Sequence, residues 1–347
     1  MKFIPGRTDH SHSNPNLHNL KFLFPPIMLK INQSWSNPPN LVNLGMISSQ
    51  IPESISQMIF NSFRNFVLLL FLLAAIPFLH AGNDPWLLGG RRVAMGGAGN
   101  SNSADLWSLF ANPAGMAGLD MMRAGLAVER RFMLASLNAG GFGFGMPFRE
   151  KHVFGVYAAA SGFDLYRENR IGLNYATEIL DVVNLGARLN IYNTSIQSYG
   201  SAMSPVLDFG ITAPVSRQFS AGASVANANL ANLSREINEE IPTVLSIGVA
   251  YRPSSKVSLV ADMVKHVDFP ADFRAGLEYK LNSLLSIRSG IATAPVSLNY
   301  GFGLKIKNLN LDFGNSHHSD LGYSGHLSIG IDLGNSGAKP AESQPNP

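Results

Sequence analysis

Past Leu119 the chain changes to runs of about 8 to 12 residues in which apolar side chains alternate with small or polar ones, and a period of two puts successive side chains on opposite faces of a strand. In 183–191, Val183, Leu185, Ala187, Leu189 and Ile191 form one face, and Asn184, Gly186, Arg188 and Asn190 the other. The same alternation recurs in 273–281, 298–306 and 327–333. A soluble sandwich would turn a face rich in long charged side chains to water. Here the polar face is mostly Gly, Ser, Ala and Asn, as expected of a crowded lumen, and the apolar face is suited to lipid.

Composition agrees. Charged residues make up 14% of the 347, against roughly 25% in soluble domains, and no apolar run of about 20 residues follows the first hundred positions. The expected fold is therefore all-β: a 14-stranded antiparallel transmembrane β-barrel, with strands near 124–132, 135–147, 152–162, 170–178, 182–193, 205–213, 218–227, 243–251, 256–266, 271–281, 284–292, 297–307, 309–315 and 323–333. An even count returns both ends of the barrel chain to one side. Connections after even-numbered strands read as tight (149–151, 216–218, 252–255, 307–308), and those after odd-numbered ones as longer (163–169, 194–204, 228–242, 316–322). Phe148, Phe163, Tyr192, Tyr251, Tyr279 and Tyr323 stand near strand ends, where interfacial girdles lie.

The one long apolar run, 66–79, follows Arg64 and ends at Leu79-His80-Ala81. It is short for about 30 Å of hydrocarbon and contains Pro77, so it reads as a secretory signal cleaved near Ala81 rather than an anchor. The domain organisation expected is a disordered extension over 1–57, from an upstream start assignment; a signal peptide over 58–81; an N-terminal plug or hatch over 82–120; the barrel over 121–333; and a disordered tail over 334–347. Residues 1–81 carry Lys2, Arg7, Lys21, Lys30 and Arg64 against Asp9 and Glu53, which is the whole of the net +3. The remainder is neutral, so the basic pI gives no reason to expect nucleic acid as a partner. The chain has no cysteine, which fits an envelope protein without disulfides.

Chemistry-bearing motifs are sparse. Met95-Gly96-Gly97-Ala98-Gly99 lacks the preceding strand and the spacing of a phosphate-binding loop. His317, His318 and Asp320 cluster in a connection without ligand spacing, and His10 and His12 stand in a Pro/Asn-rich stretch. No Gly-x-Ser-x-Gly elbow is present, and Ser328 with His326 has no orienting acid in evident reach. No catalytic residue, metal site or cofactor is expected. The inward-facing charges Arg188, Asp208, Asp262, Arg274, Glu278, Asp312 and Asp332 are expected to neutralise one another, since an unpaired charge in a narrow barrel is costly; the alternative is a selectivity lining for a polar solute.

Between the signal and the wall, 89–118 is rich in glycine and small residues. Arg91-x-x-Ala94-Met95-Gly96-Gly97-Ala98, followed by Asp105, Trp107, Phe110 and Asn112-Pro113-Ala114-Gly115, resembles the N-terminal signature of FadL-type barrels and of their relatives in the PorV/PorQ family. The resemblance implies a 14-stranded outer-membrane barrel with this segment folded inside as a plug, Asn112, Pro113 and Ala114 belonging to the hatch. The residues themselves suit that place: glycine allows positive φ and close approach, 105–110 has the length of one short helix, and Asn112 can satisfy backbone groups that water does not reach.

Two departures bear on role. Cleavage at Ala81 leaves a chain short for a fatty-acid transporter of this type, without long apolar outer hairpins, and Leu333 rather than an aromatic residue ends the last strand. The expected function is a non-enzymatic outer-membrane barrel resembling the PorV/PorQ accessory proteins of protein secretion or surface attachment; the alternative is a FadL-like passive uptake channel for small hydrophobic compounds. The implied partners are outer-membrane lipid and either secretion-system components or a hydrophobic small molecule.

Overall fold

The computed structural model describes residues 87–334 other than 103, 135, 180–181, 235–238 and 268. The extension and signal peptide expected over 1–81, and the tail after Gly334, lie outside the described residues. Fourteen strands close into an antiparallel barrel, each paired with its neighbours and β1 with β16. They are β1 (Met122–Arg130), β2 (Asn138–Phe148), β3 (His152–Phe163), β4 (Tyr166–Ile179), β5 (Val183–Ile196), β6 (Gly200–Pro214) and β7 (Phe219–Ala226), then β10 (Val244–Ser254), β11 (Val257–His266), β12 (Asp272–Lys280), β13 (Leu285–Thr293), β14 (Val296–Ile306), β15 (Leu309–His318) and β16 (Gly322–Leu333). Two short strands, β8 (Asn232–Ser234) and β9 (Glu239–Glu240), pair only with each other between β7 and β10. Met122 pairs with Leu333, so the barrel chain enters and leaves at one end, here called the terminal end.

The faces follow the alternation. On β5, Leu185, Leu189 and Ile191 are exposed on the outside while Gly186, Arg188 and Asn190 are buried within. Leu126, Ile247, Phe273 and Leu327 continue the outer apolar surface on other strands. Leu173, mid-strand in β4 and paired with Leu189, is 59% exposed, whereas Arg188 in the neighbouring strand is 6% exposed. That inversion of the usual soluble pattern fits a wall surrounded by hydrocarbon. Leu173→Arg is expected to cost about 2–4 kcal/mol of barrel stability, the penalty for a cation near the bilayer midplane. Urea titration of folded protein in lipid vesicles, followed by its gel mobility, checks it; a neutral effect would place Leu173 against water.

The expected contrast between tight and long connections is weaker than the sequence implied. Residues 164–165, 197–199 and 319–321 link their strands as tightly as 149–151 does at the terminal end. The strands keep pairing past their predicted ends, with Arg167 opposite Ser195 and Thr194 opposite Ala202. Tyr192, expected in an outer girdle, shares the inward parity of Arg188 and Asn190 and faces the lumen.

The connection 227–243 patches the wall. β7 pairs with β6 only over Phe209–Pro214, leaving the rest of that edge of β6 without a strand neighbour. Asn229 takes the missing place: its Oδ1 accepts from the Leu207 N–H at 2.9 Å and its Nδ2 donates to the Pro205 carbonyl at 3.0 Å, while the Ala228 N–H donates to Leu207 at 2.8 Å. A side-chain amide presents the same donor and acceptor as a peptide, so it satisfies edge groups that hydrocarbon would leave unpaired.

Inside the wall lies the segment before β1. It forms a short helix, α1 (Gly90–Ala94), and two 3-10 turns, Leu106–Phe110 and Pro113–Met116. Asp105 caps the first turn by accepting from the Trp107 N–H at 3.0 Å, and Asn112 caps the second by accepting from the Ala114 N–H at 3.0 Å. The helix at Gly90 was not legible in the sequence. It has no side-chain cap, and it is fixed instead by burial against the wall, where the Gly90 N–H donates to Ser328 Oγ of β16 at 2.9 Å.

Candidate functional site

The plug is held by apolar packing on one side of the lumen and by polar contacts on several others. Leu88, Leu106, Trp107, Leu109, Met116 and Leu119 bury themselves against Ala127, Val153, Tyr157, Ala159 and Ala176 of the wall. A buried leucine contributes about 1.5–3 kcal/mol, so this cluster is the main cohesive element. Met95 forms a second contact with Ala98, Ala250 and Val260. Phe110 is half-buried and meets the edge of Tyr157 at 4.7 Å between ring centroids.

Lumen glycines let the two backbones touch. A Cβ on Gly186 of β5 would lie 2.2 Å from the Ala114 nitrogen, and one on Gly290 of β13 would lie 2.2 Å from the Met95 carbonyl carbon. On the plug side, Gly96 has φ +71° and its Cβ would meet the Ile291 carbonyl oxygen at 2.5 Å. The small residues on the inward face are therefore the imprint of the plug rather than a smooth pore surface.

Hydrogen bonds complete the seal. Asn112, buried, donates from Nδ2 to the carbonyls of Asn100 at 2.8 Å, Ile211 at 3.1 Å and Ala223 at 3.3 Å. The Asp262 Oδ2 accepts from the backbone of Gly99 and Asn100 at 2.8 and 2.9 Å. Asn174 donates to the Pro113 carbonyl at 3.2 Å, and Arg123 to that of Ala104 at 2.7 Å. Arg188 reaches the carbonyls of Leu109 and Ala111 while its Nη2 pairs with Asp208 at 2.7 Å.

The seven inward charges find partners mostly outside their own set. Arg188 and Asp208 pair with each other. Arg274 pairs with Asp272 at 2.5 Å, Asp312 with Arg288 at 2.7 Å and Asp332 with Arg123 at 2.8 Å. Glu278 accepts from Arg288 at 2.6 Å and from plug residue Arg91 at 2.8 Å, and Arg91 also reaches Asp105 at 3.2 Å. Burial alone would lower the Arg91 pKa; Glu278, with Asp105 and Asp312 nearby, more than reverses that and holds it above its ordinary value. Asp262 is bound by plug backbone N–H groups rather than by a guanidinium.

Of the plug residues singled out in the sequence, Met95, Gly96, Gly97, Trp107, Asn112, Pro113, Ala114 and Gly115 are buried in the lumen with the half-buried Arg91, Asp105 and Phe110 beside them. Sequence reasoning missed Arg123, Asn174, Arg252, Asp272 and Arg288. Their inward parity was readable, but not their partners: Arg123 and Asn174 reach carbonyls of the plug, Arg252 reaches Asn102 Oδ1, and Asp272 and Arg288 pair with charges of the wall. His318 accepts at Nδ1 from the backbone N–H groups of Asp320 and Leu321, which makes that cluster a turn, and no group of potential metal ligands occurs among the described residues.

Two cavities flank the plug. Towards the end opposite the termini, a chamber of about 70 Å³ is lined by Leu87, Phe110, Tyr157, Tyr192, Ala226 and Val244 together with Arg92, Arg170 and Arg188. Towards the terminal end, a vestibule of about 250 Å³ is lined by Ser101, Glu178, Asn184, Thr212, Arg217, Ser220 and Arg252, among others. Between them stand Asn100, bonded to Ser224 Oγ at 2.8 Å and to the Ser246 carbonyl at 3.1 Å, and Ser101, whose carbonyl accepts from Ser220 Oγ at 3.3 Å.

No family model and no curated protein matches the chain. Solved structures do. The Ralstonia pickettii toluene transporter TbuX superposes with a TM-score of 0.56 at 15% identity, covering 71% of this chain and 98% of its own. The monoaromatic hydrocarbon channel CymD gives 0.58 at 14% identity, over 74% and 100%. A Pseudomonas aeruginosa FadL homologue gives 0.51 at 14% identity, over 71% and 98%. The fold is that of a FadL-type barrel. At these identities the likeness is one of architecture, that of a closed 14-stranded antiparallel barrel.

Proposed function

We propose that the protein is a passive outer-membrane channel for small, largely hydrophobic compounds, with the terminal end in the periplasm. The observation that carries the reading is a chamber walled by Phe110, Tyr157, Tyr192 and Leu87 in a plugged barrel of the same architecture as a toluene transporter and a monoaromatic hydrocarbon channel. It ranks above the accessory role in secretion suggested by the short chain. Its residues serve binding and passage, not bond-making.

The chamber at about 70 Å³ is below the roughly 150 Å³ that accepts benzene in an engineered protein cavity. Phe110, half-buried at its edge, is the side chain whose displacement would enlarge it, and passage then requires the 100–102 stretch to part from Ser220 and Ser224. Uptake of labelled toluene and of labelled benzenesulfonate by cells with and without the gene tests this: protein-dependent uptake of at least one of them, with an unchanged secreted-protein profile, is expected. The second reading, an accessory barrel like the PorV/PorQ proteins, is favoured by the anchoring of the plug to β1, β4, β5, β6, β11, β12 and β16. It predicts the opposite pattern, altered secreted or surface proteins on deletion and no protein-dependent uptake.

A further inference from the structure

Resting on the channel reading, we propose that the solute is a small organic anion with an aromatic body, of the monoaromatic carboxylate or sulfonate type, rather than a neutral hydrocarbon. Three guanidinium groups, those of Arg92, Arg170 and Arg188, line the chamber, and no acidic side chain joins them among the described residues of the lining. Carboxylates that are not part of that lining hold two of the arginines. Asp208 holds Arg188 and also takes Asn190 at 2.7 Å and the Asn227 N–H at 2.9 Å, and Glu168 holds Arg170 at 3.2 Å and takes the Tyr166 hydroxyl at 2.6 Å. A ligand in the chamber therefore meets cationic edges and aromatic faces. Arg170 lies over the Tyr192 ring at 4.3 Å from its centroid, and its side chain is 17% exposed against 6% for Arg188, so of the two wall arginines it is the one more open to a ligand. A guanidinium stacked on a ring offers an adjoining carboxylate its edge and leaves the ring to meet an apolar body.

The way onward has the same character. The contact to be parted includes Asn100, Ser101, Ser220, Ser224 and the Ser246 carbonyl, beside the bonds of Asp262 to the Gly99 and Asn100 N–H groups and of Arg252 to Asn102, and the vestibule beyond has Arg217 and Arg252 against Glu178. A hydrocarbon sliding past those amides and hydroxyls would leave them without partners, at about 1–3 kcal/mol for each buried group. An anion takes hydrogen bonds from them instead, and cationic surfaces on both sides raise its local concentration.

The test uses the full-length exported protein in phosphatidylcholine vesicles, with two permanently charged probes of similar size, benzenesulfonate and benzyltrimethylammonium. Benzenesulfonate is expected to enter about tenfold faster than the cation. Arg170→Gln should abolish that preference, and Arg170→Lys should restore most of it. A heat-dependent gel shift verifies that each variant is folded. Equal entry of the two probes, or a preference unchanged in Arg170→Gln, would overturn the proposal. Protein-dependent toluene uptake by cells with benzenesulfonate excluded would overturn it while leaving the channel reading intact; failure of toluene and both ions to pass would overturn both.

Discussion

Arg188→Met is expected to destabilise the folded barrel by about 3–5 kcal/mol, the cost of breaking a buried ion pair by removing one partner. Arg188 gives Nε and Nη2 to Asp208 Oδ2 at 2.9 and 2.7 Å, and Asp208 is 1% exposed. Methionine fills similar space and returns no charge, so Asp208 would keep only Asn190 and the Asn227 N–H, both neutral donors. On the plug side the carbonyls of Ser108, Leu109 and Ala111 would lose their guanidinium donor together.

Two readouts separate these losses. The wall effect lowers the temperature at which the folded band is lost on a gel. The plug effect raises ion conductance across a planar bilayer, because the segment between Leu106 and Ala111 is no longer tied to β5. The double variant Arg188→Met/Asp208→Asn removes the stranded carboxylate, so it should regain stability relative to Arg188→Met while still conducting. If the double variant were as unstable as the sum of its single changes, the pair would not be the source of the loss.

Much of this wall was legible because lipid and lumen impose a strict alternation. Leu185, Leu189 and Ile191 against Gly186, Arg188 and Asn190 could be assigned to faces from sequence, and all fourteen barrel strands were placed within a few residues. Strand ends were less legible at the end opposite the termini. Polar residues such as Arg167, Thr194 and Ser201 look like loop in the sequence, yet they continue the ladder above the apolar band. The plug was legible as a place but not as a set of contacts. Asn112 could be read as a capping residue, whereas its bonds to Ile211 and Ala223 depend on which wall residues the fold brings within reach. The Asn229 patch on β6 was invisible for the same reason: a loop asparagine carries no periodic signal of what its amide replaces.

The two kinds of lumen residue have different tasks, and that difference separates closure from stability. Charged pairs such as Arg288 with Glu278 and Asp312 join neighbouring or next-nearest strands as well as neutralising the interior. The glycines of the wall have no side chain to bond and, beyond their place in the ladder, decide how near the plug can come. A change at a charge should alter wall and plug together, and a change at a plug-facing glycine should alter the plug alone.

Gly186→Ala is the sharpest form of that expectation. The added Cβ would stand 2.2 Å from the Ala114 nitrogen, 2.3 Å from the Pro113 carbonyl carbon and 2.6 Å from the Ala114 Cα, all backbone atoms that no rotamer change can move aside. The second 3-10 turn must therefore shift as a unit, loosening the Asn112 bonds to the Ile211 and Ala223 carbonyls. Overpacking of this kind costs about 1–3 kcal/mol, and here it falls on the plug rather than on the ladder between β4, β5 and β6. Conductance across a planar bilayer should rise, while the temperature at which the folded gel band is lost should hardly move. Gly330→Ala is the matched control, since a Cβ there comes no nearer than 3.8 Å to any neighbour and should change neither property. A closed, wild-type trace from Gly186→Ala would mean that the plug does not seal the barrel by resting on its glycines, and that closure resides in its apolar packing and its hydrogen bonds to the wall.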